Sequence, residues 1–251
     1  MAQRIPSWKA GMILGWSQLA RGRRAVDGAG APVLGRVAVV GMTVAVAISA
    51  DLHLRLSGQV SPVWQTLSEY VYGRFSTGSS AAPMFSAMCL ALALGSAALL
   101  AGIAKVRRPG SVPVLVLLGV WCAGLLVCAT FSVDADDAAR SIRGQVHDYG
   151  AVLAFIALPA AAWLLARPSR TGCPWAPLRP AIRRLAVASA ASVQIVLTGL
   201  WVINTSPGHP EITMGLFERV LFIVDLALLV TMARPLLRSR RERTAALDRQ
   251  G

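Results

Sequence analysis

The polar residues whose types could bind or catalyse are Asp51, Ser68, Glu69, Asp134, His147, Glu218 and Arg219. His147 with the carboxylates Asp134, Glu69 and Glu218 is a donor set suited to a divalent cation such as zinc, which takes imidazole nitrogen and carboxylate oxygen. An ion held there would activate water against an ester, amide or phosphodiester of a lipid-like substrate. The same residues could instead bind a lipid headgroup, a small molecule or an ion, with Glu218, Arg219 and His147 handling charge or protons. A third reading is structural, with an ionic tie such as Arg219 to Asp134 or Glu69 fastening helix ends. The chain has only 3 histidines and no HExxH or clustered-cysteine motif, so residue types alone leave all three open.

The elements that must position these residues are membrane helices. The composition is 55% hydrophobic and 15% charged, with mean hydropathy +0.57, whereas soluble domains carry about 25% charged residues. A spanning helix needs about 20 mostly apolar residues. Segments that qualify run from Val33 to about Leu54, Pro83 to Ala104, Val112 to about Phe131, about Val146 to Ala166, about Leu185 to Ile203, and about Ile212 to Met232. The predicted fold is therefore all-α, a six-transmembrane helical bundle spanning 33–232 between tails at 1–32 and 233–251. The first tail lacks the order of features of a cleaved leader.

Basic residues orient the bundle. Arg4, Lys9, Arg21, Arg23 and Arg24 share one side with Lys105, Arg107, Arg108, Arg167, Arg170, Arg179, Arg183, Arg184 and the tail from Arg234 onward. The other side has only Arg55, Arg74, Arg140 and Arg143, offset by Glu69, Asp134, Asp136, Asp137 and Glu211. Both termini are thus expected in the cytoplasm of a plasma-membrane protein. The net charge of +13 has this topological explanation and does not point to nucleic acid; membrane lipids are the partners it implies.

By this topology the candidate residues converge on the outer half. Asp51 ends the first span beside His53, and Ser68 and Glu69 lie in the longest connection, 57–82. There Val60, Val63, Trp64, Leu67, Val71 and Tyr72 recur at helical spacing, which predicts a short amphipathic outer helix. Asp134, Asp136 and Asp137 follow the third span. His147 and Asp148 open the fourth, and Asp148 in a first turn would be favoured by the helix dipole. Asn204, His209 and Glu211 surround the last outer turn. Glu218 and Asp225, two turns apart, place one face of the last helix toward the bundle, and only Gln194 and Asp225 fall at mid-bilayer.

Five short motifs in order carry a resemblance: Asp51 near the end of the first span, Leu67-Ser68-Glu69-Tyr70, Phe131-x-x-Asp134, His147, and Gly215-x-x-Glu218-Arg219. Together they resemble a family of small bacterial and archaeal integral membrane proteins known only as a domain of unknown function. The resemblance covers roughly Val33 to Met232 and implies about six helices, with no activity attached. In plan the family is distantly similar to membrane hydrolases that hold zinc with histidines. Those sites resemble three histidines with an aspartate and a serine, whereas only His147 fits here.

Other signals are bland. Cys89, Cys122 and Cys128 fall inside apolar runs and Cys173 in a connection, as small apolar residues would. No GxGxxG after a strand, GxxxxGK[ST] or GxSxG is present, and no pseudo-symmetric halves indicate an alternating-access transporter.

Overall fold

The computed structural model describes residues 30–106, 111–135, 139–168, 173–205 and 213–237. The expectations for Asp136, Asp137, His209, Glu211, most of the first tail and the chain after 237 lie outside the described residues. Within them run six helices long and apolar enough to cross a membrane: α1 (Ala31–Leu56), α2 (Ala82–Val106), α3 (Val112–Thr130), α4 (Ile142–Leu165), α5 (Arg179–Thr205) and α6 (Met214–Leu237). Helices are the form such segments take because hydrocarbon offers no partner to the backbone, so each N–H and C=O must be satisfied within the segment. Pro32 and Pro113 sit in the first turns of α1 and α3, where a missing N–H costs nothing.

Each helix contacts its sequence neighbours, and α6 returns against α1, which closes a ring; α6 also reaches α2 and α4. Outward faces carry Val37, Val40, Val44, Leu90, Leu94, Val116, Ile156 and Ile223, all exposed. Such a belt of large apolar side chains suits lipid, not water. The protein is a multi-pass membrane protein.

Between helices, close approach depends on missing side chains. A Cβ on Gly41 of α1 would lie 2.7 Å from the Gly95 Cα of α2 and 2.8 Å from the Ala91 carbonyl oxygen. Small residues at a crossing let backbones meet, which is how membrane helices gain packing without a hydrophobic drive between them. On the other side of α2, buried Trp121 of α3 donates its indole N–H to Ser96 Oγ at 2.9 Å. Trp175, just before α5, donates to the Met232 carbonyl at 2.9 Å.

Two local expectations are corrected. The helix anticipated from Val60 is a short 3-10 helix, Ser68–Tyr72, preceded by turns. Pro62 and the side-chain bonds of Gln65 and Glu69 to nearby main-chain amides favour turns there. Helix α4 begins at Ile142, so Asp148 is in its second turn and not its first. Arg143 and Gln145 hid this start from hydropathy, and the Ser141 hydroxyl, accepting from the Gly144 N–H at 3.0 Å, fixes it.

Candidate functional site

The segment 57–81 folds over one end of the bundle and is termed the cap. It rests on the start of α6, where the Gly215 and Leu216 N–H groups donate to the Trp64 and Val63 carbonyls at 3.3 and 3.1 Å. The Leu216 N–H is shared with the Thr213 carbonyl at 3.1 Å, while Gly215 in the first turn of α6 has no partner within its helix, so the cap supplies what a helix N-terminus lacks. One turn on, Glu218 Oε2 accepts from the Leu67 N–H at 2.5 Å. Arg219 Nη1 donates to the Gln65 carbonyl at 2.8 Å and to Gly215 O at 2.9 Å, while Nη2 donates to the Tyr70 hydroxyl at 3.1 Å. Its guanidinium also lies 5.6 Å from the Tyr70 ring centroid. A guanidinium only donates, so the Tyr70 oxygen accepts from it and its hydrogen is free for His53 Nδ1, 2.9 Å away.

Glu69 serves the cap itself. Oε1 accepts from the Thr66 N–H at 2.7 Å and the Thr66 hydroxyl at 2.9 Å, and Oε2 from Gln65 Nε2 at 3.1 Å. Ser68 Oγ stands 2.9 Å from Thr66 Oγ1. Asp51 takes no part: it pairs with Arg55 Nε at 2.8 Å on the exposed side of α1, a surface arrangement that adds little stability. The anticipated pairing of Arg219 with Asp134 or Glu69 is replaced by backbone carbonyls and Tyr70, because the cap presents those oxygens directly above α6.

A second set closes the turn between α3 and α4. Asp134 Oδ2 accepts from the Ser141 N–H and Oδ1 from the Ser141 hydroxyl, both at 2.6 Å. Gly144 makes room for this carboxylate; a Cβ there would collide with it. His147 is 4% exposed, and its Nδ1 lies 2.7 Å from the Phe131 carbonyl oxygen. A carbonyl cannot donate, so Nδ1 carries the hydrogen of this bond. Nε2 has no hydrogen-bond partner among the described residues, and the Phe85 ring lies beside the imidazole, centroids 6.3 Å apart. The Tyr72 hydroxyl, bonded to the Val133 carbonyl, joins this set to the cap.

The Ser141 hydroxyl, then its amide, hold the Asp134 carboxyl below the usual carboxylate range, with Arg140 adding a smaller pull. A lowered folded value contributes stability above the ordinary carboxylate range, lost as pH falls through the folded value. Melting in detergent is therefore expected to drop as pH is taken from about 5 to below about 3. Asp134→Asn should flatten that limb, and an acid limb identical in both proteins would contradict the assignment.

Among the described residues no three His, Cys, Asp or Glu side chains gather as a metal site would require. The set considered for zinc is divided: the α3–α4 turn and the start of α4 hold Asp134 and His147, the cap and α6 hold Glu69 and Glu218, and every carboxylate is engaged by N–H or O–H donors. The arrangement brings Ser68, Glu69, Glu218 and Arg219 together, Asp134 with His147 near by, and leaves Asp51 apart. Tyr70, His53, Gln65 and Ser141 complete it and were not singled out as site residues. Tyr70 sits inside the Leu67–Tyr70 motif, and Ser141 three residues before Gly144 carries the signal of a helix start.

Deeper in the bilayer, Asp225 of α6 is 2% exposed and accepts from the Ser189 hydroxyl of α5 at 2.6 Å. The face shared by Glu218 and Asp225 thus serves two separate places, the cap and the α5–α6 seam.

No curated protein and no solved structure matches the chain. One family model matches residues 37–235, most of the six-helix bundle, and the chain belongs to that family, described as Protein of unknown function (DUF998).

Proposed function

We propose that this protein is a plasma-membrane binding protein with both termini in the cytoplasm. Its capped end faces outward and takes a polar-headed ligand: a lipid headgroup, a small molecule or an ion. The observation that supports this reading best is His147. The ring is 4% exposed, with Nδ1 oriented by the Phe131 carbonyl, while Nε2 bonds to no described residue and stays accessible to a group from outside the bundle. Polar groups kept at membrane depth without a full set of partners are ligand sites by default. Glu218 adds a half-buried carboxylate whose bond among the described residues is the one Oε2 accepts from the Leu67 N–H. Orientation rests on the described basic residues: Lys105, Arg167, Arg179, Arg183, Arg184 and Arg234 share the end opposite the cap.

The fastening reading also has an observation in its favour, since Asp134, Glu69 and Arg219 are all occupied with tying backbone. The hydrolase alternative has no comparable support, as its expected ligands do not converge.

The two readings separate in one experiment. Wild type and His147→Phe are purified in mild detergent and compared by native mass spectrometry and by melting. Binding predicts a retained polar-headed species in wild type, reduced at least about tenfold in the variant (about 1.4 kcal/mol) with little change in melting. Equal retention in both proteins, or none in either, would defeat the proposal.

A further inference from the structure

Helix α5 presents a polar stripe to the lipid. Gln194 and Thr198 are exposed near the middle of the Arg179–Thr205 helix, where hydrocarbon offers an amide no partner. The Gln194 amide has two donors and two acceptor sites. Its one bond is a long one, Nε2 to Thr198 Oγ1 at 3.2 Å, and Oε1 accepts from no described residue.

The stripe has a regular period. Val187, Gln194 and Trp201 recur every seventh residue, and Val187 and Trp201 are 56% and 66% exposed. Ala190 and Ala191 lie between the first two, also exposed, and Leu197 and Thr198 between the second two. A seven-residue repeat is the seam of a left-handed helix pair, and a single polar residue at one core position sets its register. Small residues beside it allow the backbones to approach. A groove of about 290 Å³ lined by Gln194, Leu197, Thr198 and Trp201 runs along the same face.

We infer that this face of α5 pairs with α5 of a second copy. Every copy crosses the membrane in the same sense, so a two-fold axis along the membrane normal sets the helices parallel and places Gln194 against Gln194. A side-chain amide is both donor and acceptor, and is therefore complementary to itself across such an axis. The second copy's Trp201 lies in the groove. Arg184, one turn before Val187, is at the basic end and marks where the seam leaves the bilayer.

The test uses the full chain in liposomes, with copies counted by single-molecule photobleaching. Wild type is expected to dimerise, and Gln194→Leu to weaken the dimer at least tenfold. Melting in detergent should change little, because Gln194 makes no bond outside its own helix. A photoreactive benzophenone residue in place of Trp201 should crosslink to a second copy, whereas the same group in place of lipid-facing Val40 on α1 should not. A monomeric wild type, an undiminished Gln194→Leu dimer, or crosslinks from 201 to lipid or to another protein alone would overturn the inference.

Discussion

Arg219→Ala is expected to lower stability by about 2–3 kcal/mol, the scale of losing charge-assisted hydrogen bonds from a part-buried cation. For a chain of this size that corresponds to roughly 5–10 °C in melting temperature. The guanidinium satisfies the Gln65 carbonyl, the Gly215 carbonyl and the Tyr70 hydroxyl together, and faces the Tyr70 ring. Removing it takes a donor from all three oxygens and frees the cap from α6, so proteases should cut within 57–81 before they cut elsewhere. Arg219→Lys should recover only part of the loss, because an ammonium cannot span the planar fork that reaches Gln65 and Tyr70 together. Unchanged melting and an equally protected cap in Arg219→Ala would show that the cap is held by other means.

The larger effect is expected at the α1–α2 crossing. Gly95→Leu should cost at least about 3 kcal/mol, the upper range of overpacking, and reduce the yield of monodisperse protein. A Cβ at Gly95 would stand 2.9 Å from the Ala38 carbonyl oxygen and 3.2 Å from the Gly41 Cα. Both are backbone atoms of a rigid helix, so no rotamer change relieves the contact and the helices must part. Gly95→Ala should show a smaller loss in the same direction. Gly58, where an added Cβ has nothing within 4 Å, provides the control, and Gly58→Ala should melt like wild type. Equal melting of Gly95→Leu and wild type by detergent-based thermal unfolding would disprove the close crossing.

How much of this was legible in the sequence follows from what each feature depends on. The six spans were readable because hydropathy and length are summed over some twenty residues, so one misplaced boundary alters little. Helix starts fared worse: Ile142 was missed because Arg143 and Gln145 look like loop while Ser141 does the capping. The candidate residues were readable by type, and Glu218, Arg219, Glu69 and Ser68 do meet. Their partners were not readable, because they are main-chain groups, the Leu67 amide and the Gln65 and Phe131 carbonyls. Every residue carries these groups, so no residue type betrays which are used. The expected Arg219 ion pair failed for that reason: a carbonyl at the right place outcompeted a carboxylate elsewhere.

The bonds between the cap and α6 also impose an order on assembly. Glu218 reaches Leu67 across 151 residues and Arg219 reaches Gln65 across 154, so both sides of the latch exist only after the final helix has emerged. During synthesis the cap segment is made early and waits while α2 to α5 follow, with the Gln65 carbonyl and the Leu67 amide lacking their α6 partners. The latch therefore cannot close before α6 has been made, so the Arg219–Tyr70 bond forms only in a chain that carries all six helices.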